Sequence, residues 1–254
     1  KSKRVSVDGT VEVKANTLLH EGQEVSVGKS TRKLFSGFDL LYRDEDLIVI
    51  DKATGLLSVP LDNGNEEANA LEILRTHFRT NDIFPVHRID RGTSGVLIFA
   101  KGKRCNRQLA KMFRQHDFQR EYIAIVTGKI KEDSGTWSSR LVENENFTVY
   151  STNKPDEGRL SITHFTVLKR SPKFSYLKFC LETGRKHQIR VQAKDAGSPI
   201  VGDRRYGLKG CDPISRMCLH ASSLVFTHPH TGKEMRFTAS PPKGFGRLGF
   251  PLKF

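Results

Sequence analysis

Apolar and polar positions change rhythm along this chain, and the rhythm marks out its elements. Near the start, Val5-Ser6-Val7 and Val11-Glu12-Val13 alternate around Asp8-Gly9, and Glu24-Val25-Ser26-Val27 repeats the alternation after Gly22. Period-two alternation broken by Asp-Gly predicts a small unit of short strands that opens with a hairpin. Gly28 to Ser36, rich in Lys, Arg, Ser and Thr and without a period, reads as a linker. Beyond it the apolar runs lengthen. Leu47-Ile48-Val49-Ile50, Val96-Leu97-Ile98-Phe99-Ala100 and Ile123-Ala124-Ile125-Val126 predict buried strands. Phe174 to Leu181 alternates, with Leu177, Phe179 and Leu181 on one face. Leu224-Val225-Phe226 and Glu234-Met235-Arg236-Phe237 flank a turn-forming His228-Pro229-His230-Thr231-Gly232, which predicts a strand pair.

Helical spacing occurs in two places. Asn69 to Phe78 repeats apolar residues at Leu71, Leu74 and Phe78. Asn106 to His116 puts Leu109, Met112, Phe113 and His116 on one face and turns Arg107, Lys111 and Arg114 outward, an amphipathic helix with a basic outer side. Strands outnumber helices, and few are separated by the crossover helices that parallel pairing requires. The pattern therefore predicts an α+β fold with a mainly antiparallel sheet.

Charge narrows the class of partner. The 254 residues carry 42 Lys and Arg against 28 Asp and Glu, a net charge of +14. The excess is concentrated: Lys101 to Arg120 holds seven basic residues and one acid, and Arg185 to Arg205 holds six against two. Such a field suits a polyanion, of which nucleic acid is the usual one; the plainer alternative is a merely soluble basic protein. No run of about eighteen apolar residues predicts a membrane span, and no basic amphipathic helix with exposed Trp or Phe points to a membrane surface. No signal peptide is visible, and Lys1 in place of methionine suggests a start inside a longer polypeptide. The four cysteines (Cys105, Cys180, Cys211, Cys218) form no CxxC pair and read as reduced thiols. Cys211, Cys218 and His220 match no common zinc spacing, so no metal site is expected.

Candidate chemistry centres on His87-Arg88-Ile89-Asp90-Arg91-Gly92-Thr93-Ser94-Gly95. It sets one carboxylate, Asp90, between two arginines at a glycine-punctuated turn that runs into an apolar strand. An ionised carboxylate where a loop enters the core is unfavourable by desolvation unless cations offset it. That placement points to a nucleophile or a base. The plainer reading is an Asp that caps the turn against Arg88 or Arg91.

This stretch resembles the signature of the RluA-like family of RNA pseudouridine synthases, and three others agree in the family's order. Asp39-Leu40-Leu41-Tyr42 through Val49-Ile50-Asp51-Lys52 resembles the opening strand pair of the family's catalytic domain. Thr183-Gly184-Arg185-Lys186-His187-Gln188-Ile189-Arg190, followed by Pro199-Ile200-Val201-Gly202-Asp203, resembles its third motif. Leu219-His220-Ala221-Ser222 before His228-Pro229 resembles its closing strands. The resemblance covers about residues 36–242. It implies the pseudouridine synthase fold: a long, mainly antiparallel mixed sheet split by a central RNA-binding cleft. The opening strands resemble the back end of an S4-type RNA-binding module without its initial helices. The implied organisation is a partial S4-like segment over 1–29, a linker over 30–38 and the catalytic domain over 39–254.

The resemblance also assigns roles. Turning uridine into pseudouridine breaks N1–C1′, rotates the freed base and joins C5 to C1′, so no redox cofactor or metal is needed. Asp90 matches the catalytic aspartate, a nucleophile at C1′ or a base at C2′. Arg190 matches its basic partner, which keeps a carboxylate ionised; read without the motif, it is a solvated arginine on a basic strand. Tyr122 matches the active-site tyrosine, whose ring stacks on the uracil and whose hydroxyl helps to remove the C5 proton. Its neighbour Glu121 stands where Lys or Thr is frequent, with Arg120 as a substitute for the charge. Arg88 is the candidate for the space vacated when the target base flips. Arg91, Arg185, Lys186, His187 and Gln188 are expected to line the RNA cleft, the cations contacting the RNA backbone and His187 and Gln188 making structural hydrogen bonds, with Lys103, Arg104, Arg107, Lys111 and Arg114 as an outer RNA track. Val191-Gln192 follows where the family has Val-His. The expected partner is RNA, with large-subunit ribosomal RNA favoured and transfer RNA second, and the expected setting is a monomer in a cytoplasm or organelle matrix. An idle RNA-binding or ribosome-assembly factor on the same fold is the rival. A glycosidase would want a second carboxylate, which the motifs lack.

Overall fold

Long apolar runs need cover on both faces, and in the computed structural model they form the middle of one sheet. The structure describes residues 5–7, 10–12, 20, 25–27, 37–61, 67–208 and 213–250. Two units divide the chain, 1–36 and 37–254. In the first, β1 (Val5–Val7) pairs antiparallel with β2 (Thr10–Glu12) on one side and β3 (Val25–Val27) on the other. Residues 13–19 and 28–36, used above for the S4-like and linker readings, lie outside the described residues, as does Cys211.

The second unit begins with β4 (Phe38–Arg43), whose buried Phe38 falls inside the expected linker, and β5 (Leu47–Lys52). Then come α1 (Ala70–Phe78), β6 (Ile83–Pro85), β7 (Ser94–Lys101), α2 (Lys103–Arg114), β8 (Gln119–Thr127), β9 (Ser134–Glu143), β10 (Val149–Thr152), β11 (Arg159–Arg170), β12 (Phe174–Leu181), α3 (Gln188–Asp195), β13 (Leu219–Thr227) and β14 (Glu234–Thr238). A 3-10 turn, Lys243–Leu248, closes the described chain. The sheet has eleven strands, in the order β10-β9-β11-β12-β8-β13-β7-β5-β4, with β14 on β13 and β6 on β7. Leu47 to Ile50 are wholly buried, as are Leu97 to Ala100. One apolar cluster joins β8, β12, α3 and Phe245 of the 3-10 turn. Another joins β5 and β7 to Cys105 and Leu109 of α2. No helix among the described residues is long and apolar enough to cross a membrane.

Among the described strands the pairings are antiparallel except at one seam. There β13 runs parallel to β7 over His220↔Ser94 and Ala221↔Gly95. A Cβ on Gly95 would lie 2.1 Å from the Ala221 carbonyl oxygen, and its φ is +114°. Only glycine lets the strands approach this closely. Beside it the seam is polar and fully bonded: His220 Nδ1 lies 2.8 Å from Ser94 Oγ, and His220 Nε2 lies 3.0 Å from the Ala239 carbonyl. Burial pulls the His220 pKa down to about 4, so the ring is neutral, donating to Ala239 and accepting from Ser94. The loop that carries Asp90 enters β7 at this seam.

Three expectations need correction. The chain from 134 to 170 forms β9, β10 and β11, which no apolar run announced; Gly135-Thr136-Trp137-Ser138-Ser139-Arg140 sets only Trp137 against the apolar core, and β9 alternates between exposed and half-buried along most of its length. α2 starts at Lys103, three residues before Asn106, and His116 is outside it, exposed with φ +63° rather than on the apolar face. Arg190 sits on a helix, not a strand. The buried side of α3 includes Gln188 and Gln192, so its apolar residues Ile189, Val191 and Ala193 imitate the period of a strand.

Candidate active site

A buried ammonium organises the loop that carries Asp90. Lys52, at the end of β5, is fully buried and donates to the carbonyls of Leu56 (2.7 Å), Ala53 (3.0 Å) and Arg91 (3.4 Å). Ser58 Oγ donates to Ile89 O (2.7 Å) and accepts from Ile89 N (3.2 Å), and Thr54 Oγ1 donates to Gly92 O (2.8 Å). Gly55 N donates to Arg91 O, 2.8 Å away, and Thr93 N closes a turn on Asp90 O at 3.0 Å. The segment from Ile89 to Thr93 is thus tied to the one from Lys52 to Ser58 on both sides of Asp90. Burial pulls the Lys52 pKa down to about 7, with the nearby Asp90 carboxylate acting the other way.

Arg190 of α3 meets this loop. Its Nη1 donates to Asp90 Oδ2 at 2.9 Å, while Nε and Nη2 donate to Asp203 Oδ2 and Oδ1 at 2.7 and 2.9 Å. Asp203 Oδ1 also accepts from the backbone amides of Arg205 (3.0 Å) and Tyr206 (3.2 Å). Asp203 therefore fixes one edge of the guanidinium and leaves the other for Asp90. Burial raises the Asp203 pKa, but the Arg190 bonds and the two amides outweigh it and hold it below the ordinary value. Burial likewise opposes the charge on Arg190, and its two carboxylates more than compensate, raising its pKa. The Asp203 side chain is fully buried, whereas that of Asp90 is 26% exposed. One carboxylate is structural in its setting, and the other faces solvent.

His187, which precedes α3 with φ +54°, adds a third side to the site. Its Nδ1 lies 2.9 Å from Tyr206 Oη, which itself accepts from Val149 N at 3.0 Å. This network assigns the Tyr206 proton to Nδ1 and an N–H to Nε2, which points toward Asp90 Oδ2 at 3.9 Å. Burial, against the pull of Asp90, lowers the His187 pKa to about 4, so the ring is neutral. Tyr122 of β8 lines a cavity of about 60 Å³ with Asp90, Thr93, His187, Arg190 and Leu219. Burial is the largest reason that its phenol is raised to about 12; Arg120 opposes this and Asp90 adds to it. It stays protonated at neutral pH. Asp90, His187 and Arg190 are shared with a wider cleft of about 890 Å³, whose rim carries Arg88, Arg91, Lys186, Arg204, Arg205 and Arg216. Within that cleft Asp203 and Asp90 are already paired with Arg190, so the remaining field is cationic.

Comparison with known proteins shows the family to which this fold belongs. A family model described as RNA pseudouridylate synthase matches residues 46–195. The dual-specificity RNA pseudouridine synthase RluA of Haemophilus influenzae is 35% identical over 211 residues, covering 79% of this chain and 92% of that protein. The chain belongs to the RluA-like family of RNA pseudouridine synthases. The ribosomal large subunit pseudouridine synthase D of Nitrosomonas europaea is 33% identical over 224 residues, covering 82% of this chain and 63% of that one. Human RNA pseudouridylate synthase domain containing 1 superposes with a TM-score of 0.68 at 25% identity, over 81% of this chain and 84% of that one. The sheet and its seam are thus the pseudouridine synthase fold, and the chain is an RNA pseudouridine synthase.

Apart from His187, the residues expected to touch RNA in this synthase divide into four groups. Arg88 is exposed on the cleft, and Arg185 is exposed at the smaller cavity, its Nε 3.4 Å from Leu160 O. Arg91 and Lys186 line the cleft but are paired, Arg91 with Glu67 at 2.7 Å and Lys186 with Glu143. Gln188 is turned inward and needs correction as an RNA contact. Its Nε2 donates to Ile162 O and Thr163 Oγ1, and its Oε1 accepts from Thr183 Oγ1 and Arg185 N, so it shapes the turn before α3. Lys103, Arg104, Arg107, Lys111 and Arg114 are all exposed on α2, and none lines the cleft. Gln192, which stands where the family has His, is buried, accepting from Thr163 Oγ1 (2.6 Å) and donating to Ser161 O (2.9 Å).

Sequence reasoning missed four side chains of the site: Asp203, Lys52, Tyr206 and Arg216. Asp203 and Lys52 sit inside stretches that the resemblance had already picked out, and a buried charge within a motif was the available signal. Tyr206 and Arg216 carried none.

Proposed function

We propose that this enzyme converts uridines of structured RNA to pseudouridine through Asp90, with large-subunit ribosomal RNA as the favoured target and the chain acting as a monomer away from membranes. The Asp90–Arg190–Asp203 chain of bonds carries the reading. A carboxylate that is partly exposed and held by one guanidinium edge suits attack at C1′ of the ribose, or removal of a proton at C2′. Either route breaks N1–C1′ and joins C5 to C1′; C5 loses a proton, N1 gains one, and nothing is oxidised. Tyr122, held neutral, offers a ring for stacking and a hydroxyl that exchanges a proton while the detached base turns. Arg88 at the cleft mouth is placed to enter the stack that the uridine leaves, offsetting the few kcal/mol of unstacking. The large-subunit assignment is supported by the similarity to a synthase named for that RNA.

The test is tritium release from RNA labelled at uracil C5, using large-subunit ribosomal and transfer RNA transcripts. Wild type is expected to release tritium from the ribosomal transcript, and Asp90→Asn to release none while binding that RNA with an affinity close to wild type. Equal release by the variant would remove Asp90 from the chemistry. Joint loss of binding and folding would make it structural.

A further inference from the structure

Phe147 is the most exposed large apolar side chain among the described residues, at 69%, and it stands on the rim of the cleft that contains Asp90. Its φ is +54°, a region that Gly or Asn occupies readily and a bulky side chain avoids. The turn from Asn144 to Thr148 joins β9 to β10, and asparagine would suit its backbone and the solvent better than phenylalanine. The conformation is nonetheless held from several sides. Asn144 Oδ1 accepts from the amides of Asn146 (3.1 Å) and Thr148 (2.9 Å), and Phe147 N donates to Asn144 O at 2.9 Å. Arg205 Nη1 donates to Phe147 O at 2.8 Å. Val149, two residues on, bonds Tyr206, which reaches His187 beside Asp90. Backbone strain that surrounding bonds over-determine, next to an active site, is the pattern of a placed functional group.

We propose that Phe147 is a stacking platform for an unpaired base of the RNA flanking the flipped uridine, an inference that rests on the RNA-modifying reading of the cleft. The ring offers an aromatic face beside the cations of the cleft, with Lys186 Nζ 5.2 Å from its centroid. Cations that follow a phosphate backbone, interleaved with an aromatic face, match single-stranded nucleic acid rather than a protein or lipid surface. A ring stacks any base, so the platform contributes affinity and register without reading sequence.

The test compares Phe147→Asn, which fits the left-handed backbone and removes the ring, with Phe147→Tyr, which keeps it. The probes are the unmodified ribosomal and transfer RNA transcripts. Base–aromatic stacking of ~1–3 kcal/mol converts to about 5- to 150-fold. Phe147→Asn is expected to raise Kd and KM by that factor and leave kcat within about twofold and Tm undiminished, while Phe147→Tyr stays close to wild type. The slope of log Kd against log salt should not change, because no phosphate contact is lost. Unchanged Kd and KM in Phe147→Asn would overturn the proposal. So would a flattened slope, which would mean that the ring acts by positioning Lys186 or Arg205. If wild type releases no tritium from either transcript, the reaction assignment fails, and the Kd ratio still decides the stacking.

Discussion

Asp203→Asn tests the bond chain most directly. The substitution keeps the volume of a fully buried side chain and removes its charge. Asparagine retains one acceptor oxygen for the Arg205 and Tyr206 amides. Its other terminus becomes an NH₂ facing Arg190 Nε, two donors in a space now 2.7 Å across. Removing one partner of a buried ion pair costs ~3–5 kcal/mol. Asp90 still balances part of the Arg190 charge, so the lower end, ~3 kcal/mol, applies. For a chain of this size that corresponds to a fall in Tm of about 6–12 °C. Catalysis should fall as well. A guanidinium gripped on one edge instead of two no longer holds Asp90 in place, and the loss of one charge-assisted bond of ~1.5–3 kcal/mol predicts a kcat reduced about 10- to 150-fold with KM little changed.

Thermal melts at pH 7 and single-turnover tritium release measure the two quantities separately. The pH dependence adds a third readout. The Asp203 pKa is held below its ordinary 3.8 in the folded chain, so its stabilisation is complete above that value and disappears as pH falls through the lower folded one. The gap in stability between wild type and Asp203→Asn should therefore stay constant from pH 7 to about 5 and narrow only below about 4. A Tm within about 2 °C of wild type together with kcat within twofold would refute the claim that Asp203 positions Arg190.

Two further predictions concern the loop and the outer cations. Lys52 has its pKa lowered from 10.5 to about 7 by burial, so the unfolded chain holds the proton more tightly and stability rises with pH between those values. Urea titrations should find that wild type gains about 2 kcal/mol between pH 7.5 and 9 relative to Lys52→Met; parallel curves would show that Lys52 is charged throughout. Lys111 on the exposed face of α2 lies away from the cleft. If α2 is an outer RNA track, Lys111→Ala should weaken binding to the ribosomal and transfer RNA transcripts alike and lower the salt slope by about 1 or less, whereas an unchanged slope removes α2 from the RNA path.

How much of this was legible beforehand follows from where each signal lies in the chain. Asp90 could be read because its reason is local: arginines on both sides and an apolar strand directly after. Arg190 needed the motif around it, because a single cation in a basic segment has no local feature that separates a buried ion-pair partner from a solvated one. The step from a pair to a triad needed the fold as well as the motif. Asp203 follows Arg190 by thirteen residues, and only the turn after α3, closed by the Arg205 and Tyr206 amides, brings the two together. Secondary structure failed for a related reason. Apolar periodicity reports burial by apolar residues alone, so it finds β5 and β7, whose neighbours cover both faces. It misses β9 and β11, which satisfy their backbones against each other while presenting Ser, Thr and Arg. It misreads α3, where Gln188 and Gln192 are buried and bonded to the ends of neighbouring strands. Gln192 belongs to the same case: its amide works wholly inside the fold, accepting from Thr163 and donating to Ser161. Polar residues that are buried because they are bonded are the ones that composition and period cannot see, and in this enzyme they hold both the loop that carries Asp90 and the helix facing it.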